Sequence, residues 1–228
     1  DWGGDSSLVS EQLESGVDRI YSNMLSYAAL KDDGSVITWG DGDWGGDSSL
    51  VSEQLESGVD TIYSNQYSYA ALKDDGSVIT WGAFEEGGDS SYVREQLESG
   101  VIRVHSNDFS YAALKDDGSV ITWGVPAFGG DSRAVSEQLK SGVNTIYSTN
   151  TSYAALKDNG SVVTWGEDDW GGDSSAVSER LEGDDNIAIQ DLDGNDAQSF
   201  SNSIVHALSC DIQISKTSLK KGESTEII

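Results

Sequence analysis

Apolar and polar positions follow two alternating rhythms over residues 1–183. In the first, Val9 and Leu13 stand four apart among polar neighbours, which predicts a short helix over Ser6–Ser15. Asp5-Ser6-Ser7 supplies N-cap candidates for it and Gly16 a left-handed stop. About ten residues are too few for a helix to persist alone, so it must lie on its neighbours. In the second rhythm apolar residues come at every other position, predicting a strand over Val17–Ser22, with Ile20 inward and Tyr21 on the other face, and then a hairpin over 26–40. Its turn, Asp32-Asp33-Gly34, matches a type I turn closed by a glycine bulge. If Lys31 and Ser35 close the loop, Leu30 opposes Val36 and Ala28 opposes Thr38 on one face, while Ala29 opposes Ile37 and Tyr27 opposes Trp39 on the other. Both faces are largely apolar, as expected of a sheet held between two like sheets. Ala28 and Ala29 would let those sheets approach closely.

The same text returns every 42 residues: Gly3-Gly4-Asp5 recurs at 45–47, 87–89, 129–131 and 171–173, and the hairpin recurs at 70–82, 112–124 and 154–166. Such a period predicts units that complete their cores only against a neighbour. The expected fold is mainly β, with helix-plus-three-strand units at 1–42, 43–84, 85–126 and 127–168 and a partial cap at 169–183. Four hairpins with five helical segments cannot share a closed ring without two segments claiming one place. The expectation is therefore an open arc or partial ring, capped at its C-terminal edge by the fifth segment, with the N-terminal unit cut from a longer array or covered by another chain.

The pattern Ala-Leu, Asp-Gly, a β-branched residue, Trp-Gly and Gly-Gly-Asp resembles the regulator of chromosome condensation repeat. That resemblance implies β-propeller blades over residues 1–183. The family's units commonly have four strands; here the Ser6–Ser15 segment stands in place of the fourth. Near-identical tandem copies are similar to those of large bacterial and cyanobacterial surface proteins, and three-stranded blades are similar to those of a secreted inhibitor of β-lactamases. The family's nuclear member binds chromatin and a small GTPase.

Charge argues against a chromatin role. Thirteen basic and forty acidic residues leave a net charge of −27, which repels nucleic acid and anionic membranes. No apolar run is long enough to span a bilayer. Cys210 alone excludes a disulfide framework. The opening at Asp1, inside a repeat motif, reads as a piece of something longer. Past Gly183 the periodicity ends, and Ile187, Ile189, Ile204, Ile212, Ile214 and Ile228 read as a β-rich tail over 184–228. Residues 212–223 are similar to the opening of a bacterial immunoglobulin-like module.

Catalytic chemistry has little to work with, and no catalytic residue is assigned. His105 fills the slot that Tyr21, Tyr63 and Tyr147 hold in sister units, the mark of a drifted scaffold position. Paired carboxylates such as Asp32-Asp33 are explained by turn chemistry. A metal candidate is the Asp191, Asp193, Asn195, Asp196 stretch, where alternating oxygen ligands around Gly194 could wrap Ca²⁺; no other cofactor is expected. Trp2, Trp44, Phe128 and Trp170 precede the Gly-Gly pairs, with Glu86 in the third copy, and read as inter-unit packing. Variation among copies concentrates in Met24-Leu25, Gln66-Tyr67, Asp108-Phe109 and Asn150-Thr151, a candidate partner-binding rim, with a second patch at 83–86 and 125–128. These features favour a non-catalytic extracellular or cell-surface module, a spacer or adhesive segment meeting protein, glycan or further copies of itself. The alternative is a discrete protein-binding propeller, inhibitor-like or receptor-binding, that uses the rim.

Overall fold

A computed structural model describes residues 4–175. They form four three-stranded antiparallel sheets, or blades, each in sequential strand order. Blade 1 holds β1 (Val17–Ser22), β2 (Ser26–Lys31) and β3 (Val36–Gly40). Blade 2 holds β4 (Val59–Ser64), β5 (Ser68–Lys73) and β6 (Val78–Gly82). Blade 3 holds β7 (Val101–Ser106), β8 (Ser110–Lys115) and β9 (Val120–Gly124). Blade 4 holds β10 (Val143–Ser148), β11 (Ser152–Lys157) and β12 (Val162–Gly166).

The hairpin register is the expected one, from Tyr27 opposite Trp39 to Leu30 opposite Val36. Lys31 N donates to Ser35 O and Gly34 N to Lys31 O, both at 2.9 Å, which closes the bulged turn. Asp33 Oδ1 accepts from Ser35 N at 3.0 Å and Ser35 Oγ at 2.6 Å, and these bonds hold its carboxyl below the usual range. Gly34, at φ 77°, does more than turn the chain: a Cβ there would lie 2.7 Å from Gly58 N, where the turn presses on the next unit. At that contact Val59 N donates to Gly34 O at 3.0 Å.

The segment before each blade differs from the expected helix. It is a 3₁₀ turn, over Ser7–Leu13, Ser49–Leu55 and Ser91–Leu97, shortening to Arg133–Val135. The serine N-caps make no side-chain cap bond. The aspartate before them acts instead, Asp47 Oδ1 accepting from Ser49 N at 2.9 Å. At the far end the hairpin lysine caps the segment, Lys73 Nζ donating to Gln54 O at 2.7 Å. Tying both ends to the scaffold lets a seven-residue segment hold its place.

The core lies between blades rather than within them. Ala28, Leu30 and Val36 on the forward face of blade 1 meet Leu55, Val59, Ile62, Tyr69, Ala71 and Trp81 on the rear face of blade 2. Corresponding residues join blades 2 and 3, and blades 3 and 4. Each interface also carries polar pins: Tyr69 Oη donates to Ser26 O at 2.8 Å, and Trp81 Nε1 to Gly45 O at 3.1 Å. The Gly-Gly pair fits because Gly45 lies on the Tyr69 ring, where a Cβ would come within 2.7 Å.

First strands of successive blades adjoin, β1 with β4, β4 with β7 and β7 with β10, so they line the inside of the arc. The arc is open. Ile20 is 59% exposed while its counterparts Ile62, Val104 and Ile146 are buried, so among the described residues no blade covers the rear of blade 1. The expected capping segment beyond Ser175, the 184–228 tail and the Asp191–Asp196 loop lie outside the described residues.

Candidate functional site: the inner rim of the arc

The turns between first and second strands gather at one end of the arc. Three of the four are built on an asparagine: Asn65 Oδ1 accepts from the backbone N of Tyr67 and Ser68, both at 2.8 Å, and its Nδ2 donates to Glu86 O at 2.6 Å. Asn23 and Asn107 make the same set, the latter donating to Phe128 O at 2.6 Å. Thr149 stands at this position in blade 4 and reaches Trp170 O only at 3.4 Å. The asparagine folds the chain so that the two variable residues after it take different surroundings.

Met24, Gln66, Asp108 and Asn150 come together. Met24 N donates to Gln66 O and Gln66 N to Asp108 O, both at 3.3 Å, and Asp108 N donates to Asn150 O at 3.0 Å. Serine hydroxyls repeat the step, Ser106 Oγ donating to Ser64 O at 2.9 Å and Ser148 Oγ to Ser106 O at 2.8 Å. The ladder has two ends, as an arc requires. Together these residues border a recess of about 420 Å³ whose wall is hydroxyl, amide, thioether and the single Asp108 carboxylate.

Leu25, Tyr67, Phe109 and Thr151 take the other direction. Trp44 meets Tyr67 at 4.6 Å between ring centroids, Tyr67 stacks on Phe109 at 5.6 Å, and Phe109 meets Phe128 at 4.7 Å. All four rings are half-buried. Glu86, where other units have an aromatic residue, leaves Tyr67 and Phe109 to meet directly. Trp44 and Phe128 therefore pack between units as expected, Trp170 is 64% exposed, and Trp2 lies outside the described residues.

The sequence reading missed Tyr92. In its slot sister units carry Leu8, Leu50 and Ala134. Its hydroxyl accepts from Gly124 N at 3.0 Å, and with Phe84, Pro126 and Arg133 it lines an outer groove that takes in part of the second variable patch.

His105 lies on β7. Its Nε2 is buried without a hydrogen-bond partner, and burial, seconded by the Arg103 charge, pushes the imidazole down to about 4. The buried tyrosines are held protonated for the same reason, Tyr69 being raised to about 12. Among the described residues no group of three or more His, Cys, Asp or Glu side chains could hold a metal. No described helix is long and apolar enough to cross a membrane.

No protein-family model matches the sequence, and no curated protein matches it. Solved structures similar in fold include the CRINKLY WD40 ectodomain of the Arabidopsis thaliana receptor kinase ACR4, at 13% identity and TM-score 0.45 over 66% of this chain and 52% of that one. Yeast RCC1 (Prp20), solved with Kap60 bound to it, gives 15% and 0.44 over 66% and 43%. The computationally designed Ika4 protein gives 14% and 0.37 over 68% and 92%. The chain spans about half the length of the two natural structures. Repeated three-stranded sheets, meeting face to face in sequence order, fit the propeller repeat that the sequence resembles.

Proposed function

We propose that this chain is a non-catalytic protein-binding module whose contact site is the inner rim, carried on the outside of a cell as part of a surface protein. One observation carries the reading: in a repeat near-identical over most of its length, four of the variable residues, Met24, Gln66, Asp108 and Asn150, converge on one recess. A pure spacer has no use for diversity gathered at a single place. The partner is a protein with a basic surface, since the module carries −27 and the recess presents Asp108 without a cation of its own.

An oligolysine peptide titrated into isotopically labelled protein at low salt tests this. Amide shifts should move at Gln66, Asp108 and Asn150, and Asp108→Asn should weaken binding several-fold. Shifts spread evenly over the acidic hairpin turns, and unmoved by Asp108→Asn, would remove the rim from the function.

A further inference from the structure

The two open ends of the arc are halves of one interface that the molecule already builds three times. At each internal junction a forward face of Ala, Leu and Val meets a rear face of Ile or Val, Tyr, Ala and Trp. Blade 4 ends on a forward face, Ala154, Leu156 and Val162, and blade 1 begins on a rear face, Ile20, Tyr27, Ala29 and Trp39. Among the described residues neither has its complement. Tyr27 is 39% exposed where Tyr69, Tyr111 and Tyr153 are buried, and Leu156 and Val162 are half-open where Leu30, Leu72, Leu114 and Val36, Val78, Val120 are buried. Stacked Tyr27 and Trp39, 5.2 Å apart, already hold the geometry that Tyr69 and Trp81 show when covered.

We infer that the forward face of blade 4 docks on the rear face of blade 1 of a second copy, head to tail. The occupant is fixed by continuity with the internal interfaces, since each end carries the side chains that its complement accepts elsewhere in the same chain. The N-terminal copy's own linker keeps its anchor, Gly172 N donating to Glu167 O at 2.9 Å. The incoming copy brings its own Ser7–Leu13 segment, held to blade 1 by Lys31 Nζ donating to Gln12 O at 2.7 Å, to the place beside its rear face that Ser49–Leu55 holds at the internal junction. Arg19 of the incoming copy holds the place of Thr61, whose hydroxyl lies 3.2 Å from that of Tyr21, so it comes to face Tyr147. The contact is heterologous, and it generates rings or open chains of copies according to the angle between them. Because both copies are strongly acidic, it strengthens with salt.

Sedimentation equilibrium on the full chain in high salt reads the result. Mass should rise above 24.3 kDa with concentration. Ile20→Arg spoils the rear face at an exposed position, and Leu156→Arg spoils the forward face; arginine lowers the net negative charge, so lost assembly cannot come from added repulsion. Each variant alone should stay monomeric, with at least a tenfold weaker association, and an equal mixture should give a dimer and nothing larger. Tyr147→Arg, at a surface position 37% exposed, should match Leu156→Arg, and circular dichroism checks that every variant is folded. A wild-type chain that stays monomeric at high concentration overturns the inference and points to a cap from the chain's own residues 176–183. Dimers of Leu156→Arg alone, or a folded mixture that stays monomeric, overturn it as well.

Discussion

His105 should make the array sensitive to mild acid. The residue sits on β7 in the slot that three sister units fill with tyrosine, and its buried Nε2 has no partner. In the unfolded chain its imidazole takes a proton near 6.5, and in the fold only near 4. A lowered folded value means that stability is complete above pH 6.5 and is lost as pH falls toward 4, because only the unfolded chain accepts the proton. Linkage over that gap gives about 2 kcal/mol lost by pH 5 and roughly 3 by pH 4. For an array of this size the loss at pH 5 lowers Tm by about 4–8 °C. Calorimetry at pH 7.5 and pH 5 measures it, with His105→Tyr as the control. The turn aspartates, whose carboxyls are lowered by serine hydrogen bonds, act below the ordinary carboxylate value of 3.8 and are common to both proteins. So is His206. If His105→Tyr loses as much stability by pH 5 as the parent does, the buried imidazole is not the cause and the argument fails.

Two further outcomes are expected. Gly76→Val should destabilise by about 1–3 kcal/mol in urea titration, since φ is 77° and the new Cβ would lie 2.9 Å from Gly100 N; an unchanged midpoint would mean that the hairpin turn can rearrange freely. Thr149→Asn should stabilise blade 4 by about 0.5–1.5 kcal/mol, because an asparagine there reaches the linker carbonyl at 2.6 Å in other blades and the threonine only at 3.4 Å; hydrogen exchange at Ser152 should slow, and faster exchange would contradict the assigned role.

The blades were legible in the sequence because what makes them is local. Period-two apolar residues and the Asp-Asp-Gly turn set the register within one hairpin, and the repeat set the order of the sheets. The segment Ser7–Leu13 was legible as helical but not in kind: Val9 and Leu13 four apart suit an α turn, whereas a 3₁₀ turn aligns positions three apart, and the choice falls to anchors distant in sequence such as Lys31. The rim residues were found by their variation. Their division into a polar recess and an aromatic row was not, because it depends on the path that Asn65 imposes on the two residues after it. Tyr92 does leave a signal in the sequence: its slot reads Leu, Leu, Tyr, Ala across the four units, inside the segment whose spacing predicts the short helix.

The tyrosine pins between blades always reach back 43 residues, from Tyr69 to Ser26, Tyr111 to Ser68 and Tyr153 to Ser110. Loss of residues 43–84 would therefore bring Ser26 to Tyr111 with the tyrosine pin and the apolar residues of the junction matched, and a duplicated unit would be received just as readily. A gene encoding this chain can gain or lose one repeat by misaligned recombination and still yield a folded product. The length of the array is thus open to inheritance as a quantity in its own right, while a change that is not a whole number of repeats would break the junction at which it falls.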